Sequence, residues 1–182
     1  MMTEALTVLG TIRTARLAIR PLIDADAAAF AAMTDDPAIT EIIHFLPTPF
    51  TMDDATRLIA GEGDGRDCFF GVWRQGDDMM IGTVGTHLRG ADQIEIGYWF
   101  ATAARGRGMA SEAVSAVVHR IRESYPDRRL YAECLADNRP SWALLERVGF
   151  HPTDTPGDRP GRMRLVYASA RVTDSVGPSI AT

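Results

Sequence analysis

The chain has 182 residues, 46% of them hydrophobic, which is enough for one domain with a real core. Its formal charge of -5 and isoelectric point near 5.3 exclude a general nucleic-acid surface; the acidic balance suits cationic partners such as amines, or serves solubility alone. No apolar run reaches the ~20 residues of a membrane span, and no basic region with an apolar core marks a signal peptide, so a cytoplasmic protein is expected.

In chain order, Thr11 to Leu22 alternates apolar and polar residues and predicts one strand ending at Pro21. "DADAAAFAAMTDD" predicts a helix with Asp24 as its N-cap, and "AITEIIHFL" after Pro37 a short second helix. Thr51 and Asp54 have capping-box spacing for a helix running to about Ala60. After the loop "GEGDGRD" the period changes to two. "CFFGVWR", "MMIGTVGTHL" and "QIEIGYWF" predict three strands, and the short links "QGDD" and "RGAD" require antiparallel hairpins. Met109, Ala110, Ala113, Val114, Val117, Val118 and Ile121 keep the spacing of one helical face. "RRLYAECL" predicts a strand. "NRPSWALLERV" predicts a helix stopped by Gly149, with Trp142, Leu145 and Val148 as core positions. Strands starting at Phe150 and within "RPGRMRLVYAS" close the domain. This order predicts an α/β (α+β) fold with a mixed, mostly antiparallel central sheet flanked by helices. Residues 1–10 read as an N-terminal extension, 11–170 as the domain and 171–182 as a flexible tail.

Cys68 and Cys134 sit in apolar strands and read as buried free thiols, although one disulfide between them is open. His44, His87, His119 and His151 never approach one another at ligand spacing, so no metal is expected.

The stretch Arg105-Gly106-Arg107-Gly108-Met109-Ala110 lies where a strand hands over to a helix. Helix starts expose unpaired N–H groups and partial positive charge, and glycine lets a phosphate approach the backbone closely. The stretch is a competent pyrophosphate cradle; equally, the glycines only permit a tight connection. It lacks the lysine of a Walker loop, and Ser111 stands where a dinucleotide fingerprint has its third glycine.

"R-x-x-G-x-A" across Arg105, Gly108 and Ala110 resembles the [QR]-x-x-G-x-[GA] loop of the GNAT N-acetyltransferase superfamily. "EIGYWF", "GRGMASEAV", "NRPSWALLERVGF" and "TARLAIRPL" resemble, in order, motifs of the subgroup that includes ribosomal-protein N-terminal acetyltransferases. The resemblance covers about residues 11 to 168 and departs at Thr102, where a proline often sits, and in the last strand. It implies a sheet splayed near an acetyl-CoA site. It also implies that the loop Arg105, Gly106, Arg107, Gly108, Met109, Ala110 holds pyrophosphate. Backbone groups of Trp99 and Phe100 would pair with the pantetheine arm, and a peptide N–H near the splay would face the thioester oxygen.

Asn138 is either an N-cap or a ligand for the pantetheine arm or an ordered water; Ser141 is either a solvated first-turn serine or the proton donor to the leaving thiolate. Glu95 shares a strand face with Gly97 and Trp99 and is either a general base acting through water or an ion-paired strand carboxylate. Glu133 is the rival carboxylate. Tyr167 is either an acid near the thiolate or a core tyrosine. Asp53, Asp54, Glu62 and Asp64 suit a cationic acceptor or form a solvated face. The expected function is acetyl transfer from acetyl-CoA to a primary amine, on a small molecule or a protein N-terminus, by a monomer or homodimer without nucleic acid or membrane. A non-catalytic acyl-CoA sensor and a nucleotide-binding regulator are the competing classes.

Overall fold

The computed structural model describes residues 5–61 and 63–168; Glu62 and the tail expected at 171–182 lie outside the described residues. Thirteen strands and α-helices follow in chain order. They are β1 (Ile12–Arg13), β2 (Leu17–Pro21), α1 (Ala27–Thr34), α2 (Pro37–Thr40), α3 (Met52–Ala60), β3 (Asp67–Arg74), β4 (Met80–Arg89) and β5 (Gln93–Phe100), then α4 (Met109–Ser124), β6 (Arg129–Leu135), α5 (Arg139–Val148), β7 (Phe150–Pro156) and β8 (Arg162–Tyr167). The strands form one eight-stranded sheet in the order β1-β2-β3-β4-β5-β6-β8-β7. β5 and β6 are parallel, joined through α4; every other neighbouring pair is antiparallel.

The two faces of the sheet carry separate cores. One packs Ile94, Ile96 and Phe100 against the Val114, Val117, Val118 and Ile121 stripe of α4 and against Leu145 of α5. The other packs Phe69 and Trp99 against Phe30 of α1, with Phe50 and Ala55 behind them. Trp99 stacks on Phe30 at 6.0 Å, and its indole N–H donates to Thr34 Oγ1 at 3.0 Å, which satisfies the buried polar atom. Both cysteines are buried and free.

Four sequence expectations change. The strand predicted from Thr11 to Leu22 is interrupted, because Thr14 Oγ1 accepts from the Arg16 and Leu17 amides and turns the chain between β1 and β2. Asp24 begins a 3-10 turn, and Asp26 holds the position before α1; its side chain does not cap α1 but accepts from the Ile23 amide and pairs with Arg20. The helix predicted after Pro37 is a single turn, α2, followed by turns through residue 46. Residues Leu6–Leu9, expected outside the domain, form a 3-10 turn whose Leu6 and Leu9 are buried in the main core. The capping box at Thr51 and Asp54, the three-strand meander and the Gly149 stop are as the sequence predicts.

The meander leaves no room at Gly82. A Cβ there would stand 2.1 Å from the Phe100 ring. Gly82→Ala is therefore expected to lower stability by about 1–3 kcal/mol through displacement of Phe100. Denaturant unfolding of the two proteins checks this, with a shifted midpoint and an unchanged slope.

Candidate active site

β5 and β6 are paired only from Gln93↔Arg129 to Ile96↔Ala132. Beyond that point the strands part, while β5 stays paired with β4 through Phe100. The edge of β5 facing β6 therefore has no strand partner from Gly97 to Phe100. Buried backbone polar groups need partners, from water or from a ligand, so this edge can pair with an extended group that enters the seam.

Two hollows meet at the seam. On the α4 and α5 side a groove of about 500 Å³ is lined by β5, the loop before α4, and the start of α5. On the α1 and α3 side lies a smaller cavity of about 90 Å³, which includes Gly85, His87, Glu95 and Gly97. Both are bordered by Ile42, Ile43, Tyr98, Trp99, Asn138 and Ser141. A third hollow of about 230 Å³ continues the small cavity outward past Arg57, Asp67 and Arg89.

The groove ends at the start of α4. Gly108 is its N-cap, with φ of 72°, and no side chain caps the helix. The first intrahelical bond is Glu112 N–H to Gly108 O, so the amides of Met109, Ala110 and Ser111 have no intrahelical acceptor. A Cβ placed at Gly106 or at Gly97 would meet nothing within 4 Å, which leaves both backbones open to close approach. Arg105 lines the groove and donates to Ala38 O; Arg147, which the sequence reading did not single out, lines it too and donates to Ser111 Oγ. These features fit an anion such as a pyrophosphate. The loop residues divide in their placement. Arg105, Gly106, Gly108 and Ala110 line the groove, whereas Met109 is buried in the main core and Arg107 only offers its carbonyl to Arg16.

At the seam Asn138 Oδ1 caps α5 by accepting from Ser141 N–H at 3.3 Å, and Asn138 also lines both hollows. Ser141 Oγ lies 2.8 Å from the Tyr98 hydroxyl. Burial pushes the Tyr98 phenol well above its usual range, so it stays a neutral donor. Strand alternation sends Tyr98 to this face, and pairing it with Ser141 required knowing how α5 docks. Tyr167 packs on Phe150 at 5.4 Å and lines none of the three hollows.

Glu95 is on the face with Gly97 and Trp99, in the small cavity, as its strand position predicts. Its oxygens are held by two arginines, Oε1 by Arg159 Nη2 at 2.5 Å and Oε2 by Arg89 Nε at 3.1 Å. Glu133 is equally committed, to Arg159 and Arg164 and to the Asp158 and Arg159 amides. The network extends through Asp67 at one end, paired with Arg89, and Asp158 at the other, paired with Arg164.

A residue that the sequence reading weighed only as a metal ligand stands beside Glu95. His87 is its cross-strand neighbour on β4, and its Nδ1 lies 2.7 Å from Asp67 Oδ1. The His87 hydrogen bond holds the Asp67 carboxyl below the usual range, so Asp67 accepts and Nδ1 carries the hydrogen. In the tautomer with hydrogen on Nδ1, the ring's lone pair is on Nε2. That atom is 2.8 Å from where a Cβ of Gly85 would be, over the strand position paired with Gly97. A hairpin register aligning Asp67 with His87 is the signal that would have found this pair.

The acidic residues expected to attract a cationic acceptor do other work. Asp54 caps α3, Asp64 accepts from the Arg66 amide, and neither they nor Asp53 line the hollows. Among the described residues no group of His, Cys, Asp and Glu is placed to hold a metal ion, and no helix is long and apolar enough to cross a membrane.

Residues 16–151 match the family described as "Acetyltransferase (GNAT) domain". The uncharacterized N-acetyltransferase p20 of Bacillus licheniformis is 30% identical over 147 residues, covering 77% of this chain and 82% of that protein. The probable N-acetyltransferase YjcK of Bacillus subtilis (strain 168) is 38% identical over 85 residues, 45% of this chain; the match spans about half, 47%, of that relative. Among solved structures, the ribosomal L7/L12 alpha-N-protein acetyltransferase RimL in complex with coenzyme A has a TM-score of 0.75 at 17% identity, over 86% of this chain and 96% of that one, a likeness of fold.

Arg159 joins two buried carboxylates, Glu95 within the paired stretch of β5 and Glu133 of β6 just past the last pair. Arg159→Ala leaves each with its second arginine, so a loss of about 1–3 kcal/mol is expected rather than unfolding. Thermal and denaturant melts check it, and the loss is expected to exceed that of Arg57→Ala, whose guanidinium is mostly exposed.

Proposed function

The chain belongs to the acetyltransferase (GNAT) domain family, and we propose that it is an acetyl-CoA-dependent N-acetyltransferase that acts on a primary amine by direct attack within a ternary complex. The observation that carries the proposal is the seam: an unpaired β5 edge that joins an anion-receptive groove on one face to a small polar cavity on the other. Acetyl-CoA supplies the activated acetyl group. In this reading Gly106, Gly108, Ala110 and the free α4 amides hold its pyrophosphate, with Arg105 and Arg147 beside them. The backbone of Gly97, Trp99 and Phe100 receives the pantetheine arm as an added strand would, and Asn138 steadies it. The acceptor is a small-molecule amine or a protein N-terminus entering from the His87 side.

The amine nitrogen attacks the thioester carbon and loses a proton; the C–S bond then breaks and the thiolate gains one. A β5 peptide N–H in the parted stretch receives the oxyanion. Ser141, bonded to the neutral Tyr98 hydroxyl, returns the proton to sulfur. For the amine proton, His87 Nε2 is the acceptor the geometry favours, oriented by Asp67. Glu95 remains the alternative, but its two oxygens are already engaged by guanidinium groups, which suits an anchor better than a base.

Release of free thiol from acetyl-CoA, dependent on both enzyme and amine, tests the function; a protein that binds CoA but turns over with no amine would be the sensor instead. Gly108→Ala is expected to weaken CoA binding by roughly tenfold, since an L side chain at φ of 72° disturbs the one position that aims the α4 amides. Calorimetric titration with CoA checks it.

The proton route gives a separate expectation. His87→Gln keeps size and polarity but removes the base, so kcat/KM falls by roughly 10²-fold at neutral pH. The loss shrinks as pH rises toward the amine's own pKa, ~10.4 for a lysine-like acceptor, because free amine then appears unaided. Glu95→Gln is expected to lose less in rate and more in stability. A larger rate loss in Glu95→Gln than in His87→Gln, in parallel pH–rate profiles, would return the base to Glu95.

A further inference from the structure

Two arginines line the small cavity, and they differ in what they do. Arg159 is spent on Glu95 and Glu133. Arg162, the first residue of β8, has no ion-pair partner among the described residues. Its Nη1 donates to Glu133 O at 3.2 Å and its Nη2 to Ile42 O at 3.4 Å, both backbone carbonyls. The two carboxylates in the lining are not available to it: they are held by Arg89, Arg159 and Arg164.

The guanidinium is half-buried. Burial, and next the charge of Arg159, press its proton affinity down. The same charges act on the neighbouring imidazole: burial, then Arg162 and then Arg159, hold His44 below its usual range. Glu133 and Glu95 oppose these shifts from a distance, so the cavity's charges balance overall, but no carboxylate among the described residues touches the Arg162 guanidinium itself. A partly desolvated cation without an anion is unfavourable, and the protein has four carboxylates nearby, Asp67, Glu95, Glu133 and Asp158, each turned to another arginine. A guanidinium has five donors, and a carboxylate can take two of them side by side.

We infer that Arg162 is the anion-binding subsite of the acceptor chamber, and that the acceptor is an amine carrying a carboxylate close to its amino group. The inference rests on the reading of the small cavity as the acceptor's side of the seam. A simple cationic amine, such as a polyamine, would meet Arg162 as a like charge. A zwitterion places its carboxylate on Arg162 and its amino group toward Gly97 and His87. The chemistry has two sources, the α-carboxylate of a free amino acid or an acidic side chain next to a peptide N-terminus. The small cavity is to receive the carboxylate itself in either case. Arg162 also ties the turn at Ile42 to β8, so a purely structural role predicts that its loss harms all acceptors alike.

The experiment compares matched acceptors in the thiol-release assay with the full chain. One arm uses free L-amino acids against their α-amides. The other uses peptides with Asp or Asn at the second position. Wild-type protein is expected to prefer the carboxylate member in one arm, which identifies the source. Arg162→Gln is expected to lower kcat/KM for that member by roughly 10–100-fold, mostly through KM, and to change its uncharged match by about threefold or less. Arg162→Lys is expected to restore part of the loss. The comparison within each acceptor, variant over wild type, cancels differences in amine basicity. Faster wild-type turnover of the amide and Asn members, or an equal loss on both members in Arg162→Gln, would overturn the subsite while leaving the acetyltransferase reading intact. CoA binding without thiol release from any amine would instead sink that reading, and this inference with it.

Discussion

The ladder joining β5 to β6 stops at Ile96 and Ala132, and the rest of the molecule is arranged around that stop. Two parallel strands that part leave backbone donors and acceptors facing a gap. Such groups need partners, so the gap either fills with chain or accepts an extended ligand. The chain does not fill it. Gly97 sits at the first unpaired position, and no atom lies where its side chain would be. α5 starts beside the gap and offers Asn138 and Ser141 rather than a plug, and the turns after α2 cover it from the other side with Ile42 and Ile43.

A sheet opened in this way loses hydrogen bonds where it needs cohesion. The ion-pair network replaces them. Read across the strands it alternates in sign: Asp67 of β3, Arg89 of β4, Glu95 of β5, Arg159 of the β7–β8 loop, Glu133 of β6, Arg164 of β8 and Asp158 of the loop again. Glu95 and Glu133 stand on the two strands that separate, and Arg159 bridges them at the seam. Buried charges of this kind add little net stability compared with apolar packing, but each partner is costly to remove. The network ties β5, β6 and the β7–β8 loop together beside the opening.

Much of this was legible in the sequence because it rests on local rules. The period of two in β3 to β5, the stripe of α4, the capping box at Thr51 and the Gly149 stop need only neighbouring residues. Strand alternation also placed Glu95, Gly97 and Trp99 on one face, opposite Tyr98. What the sequence hid depends on distant segments. Arg159 and Arg162 lie in and after a loop whose return over β6 no periodicity announces. Arg147 reaches the groove only because α5 packs on α4. Thr14 splits the first strand through its own side chain, and Glu112, 98 residues away, then locks that turn to the start of α4. Leu6 and Leu9 looked peripheral because nothing local marks a 3-10 turn as core.

The alternation of β5 also bears on the proposed reaction, in which one short strand would serve both ends of a proton transfer. Tyr98 points to the α5 side, where it meets Ser141; Glu95 and Gly97 point to the other, where His87 stands on the adjoining strand. The proposed donor to the leaving group and the proposed acceptor from the attacking group are thus held on opposite faces of a single backbone segment. They have no direct contact through which to neutralise each other. In that proposal an amine and a thioester meeting at the parted edge would lie between them, and the pleat of the strand would set the direction of proton movement. The charges divide in the same way. The groove side offers uncapped amides with Arg105 and Arg147, suited to phosphate. The other side balances nearly every charge against another and leaves Arg162 over. On the proposed reading, phosphate and acceptor would be distinguished by which face of β5 they can reach, before any contact specific to either has formed.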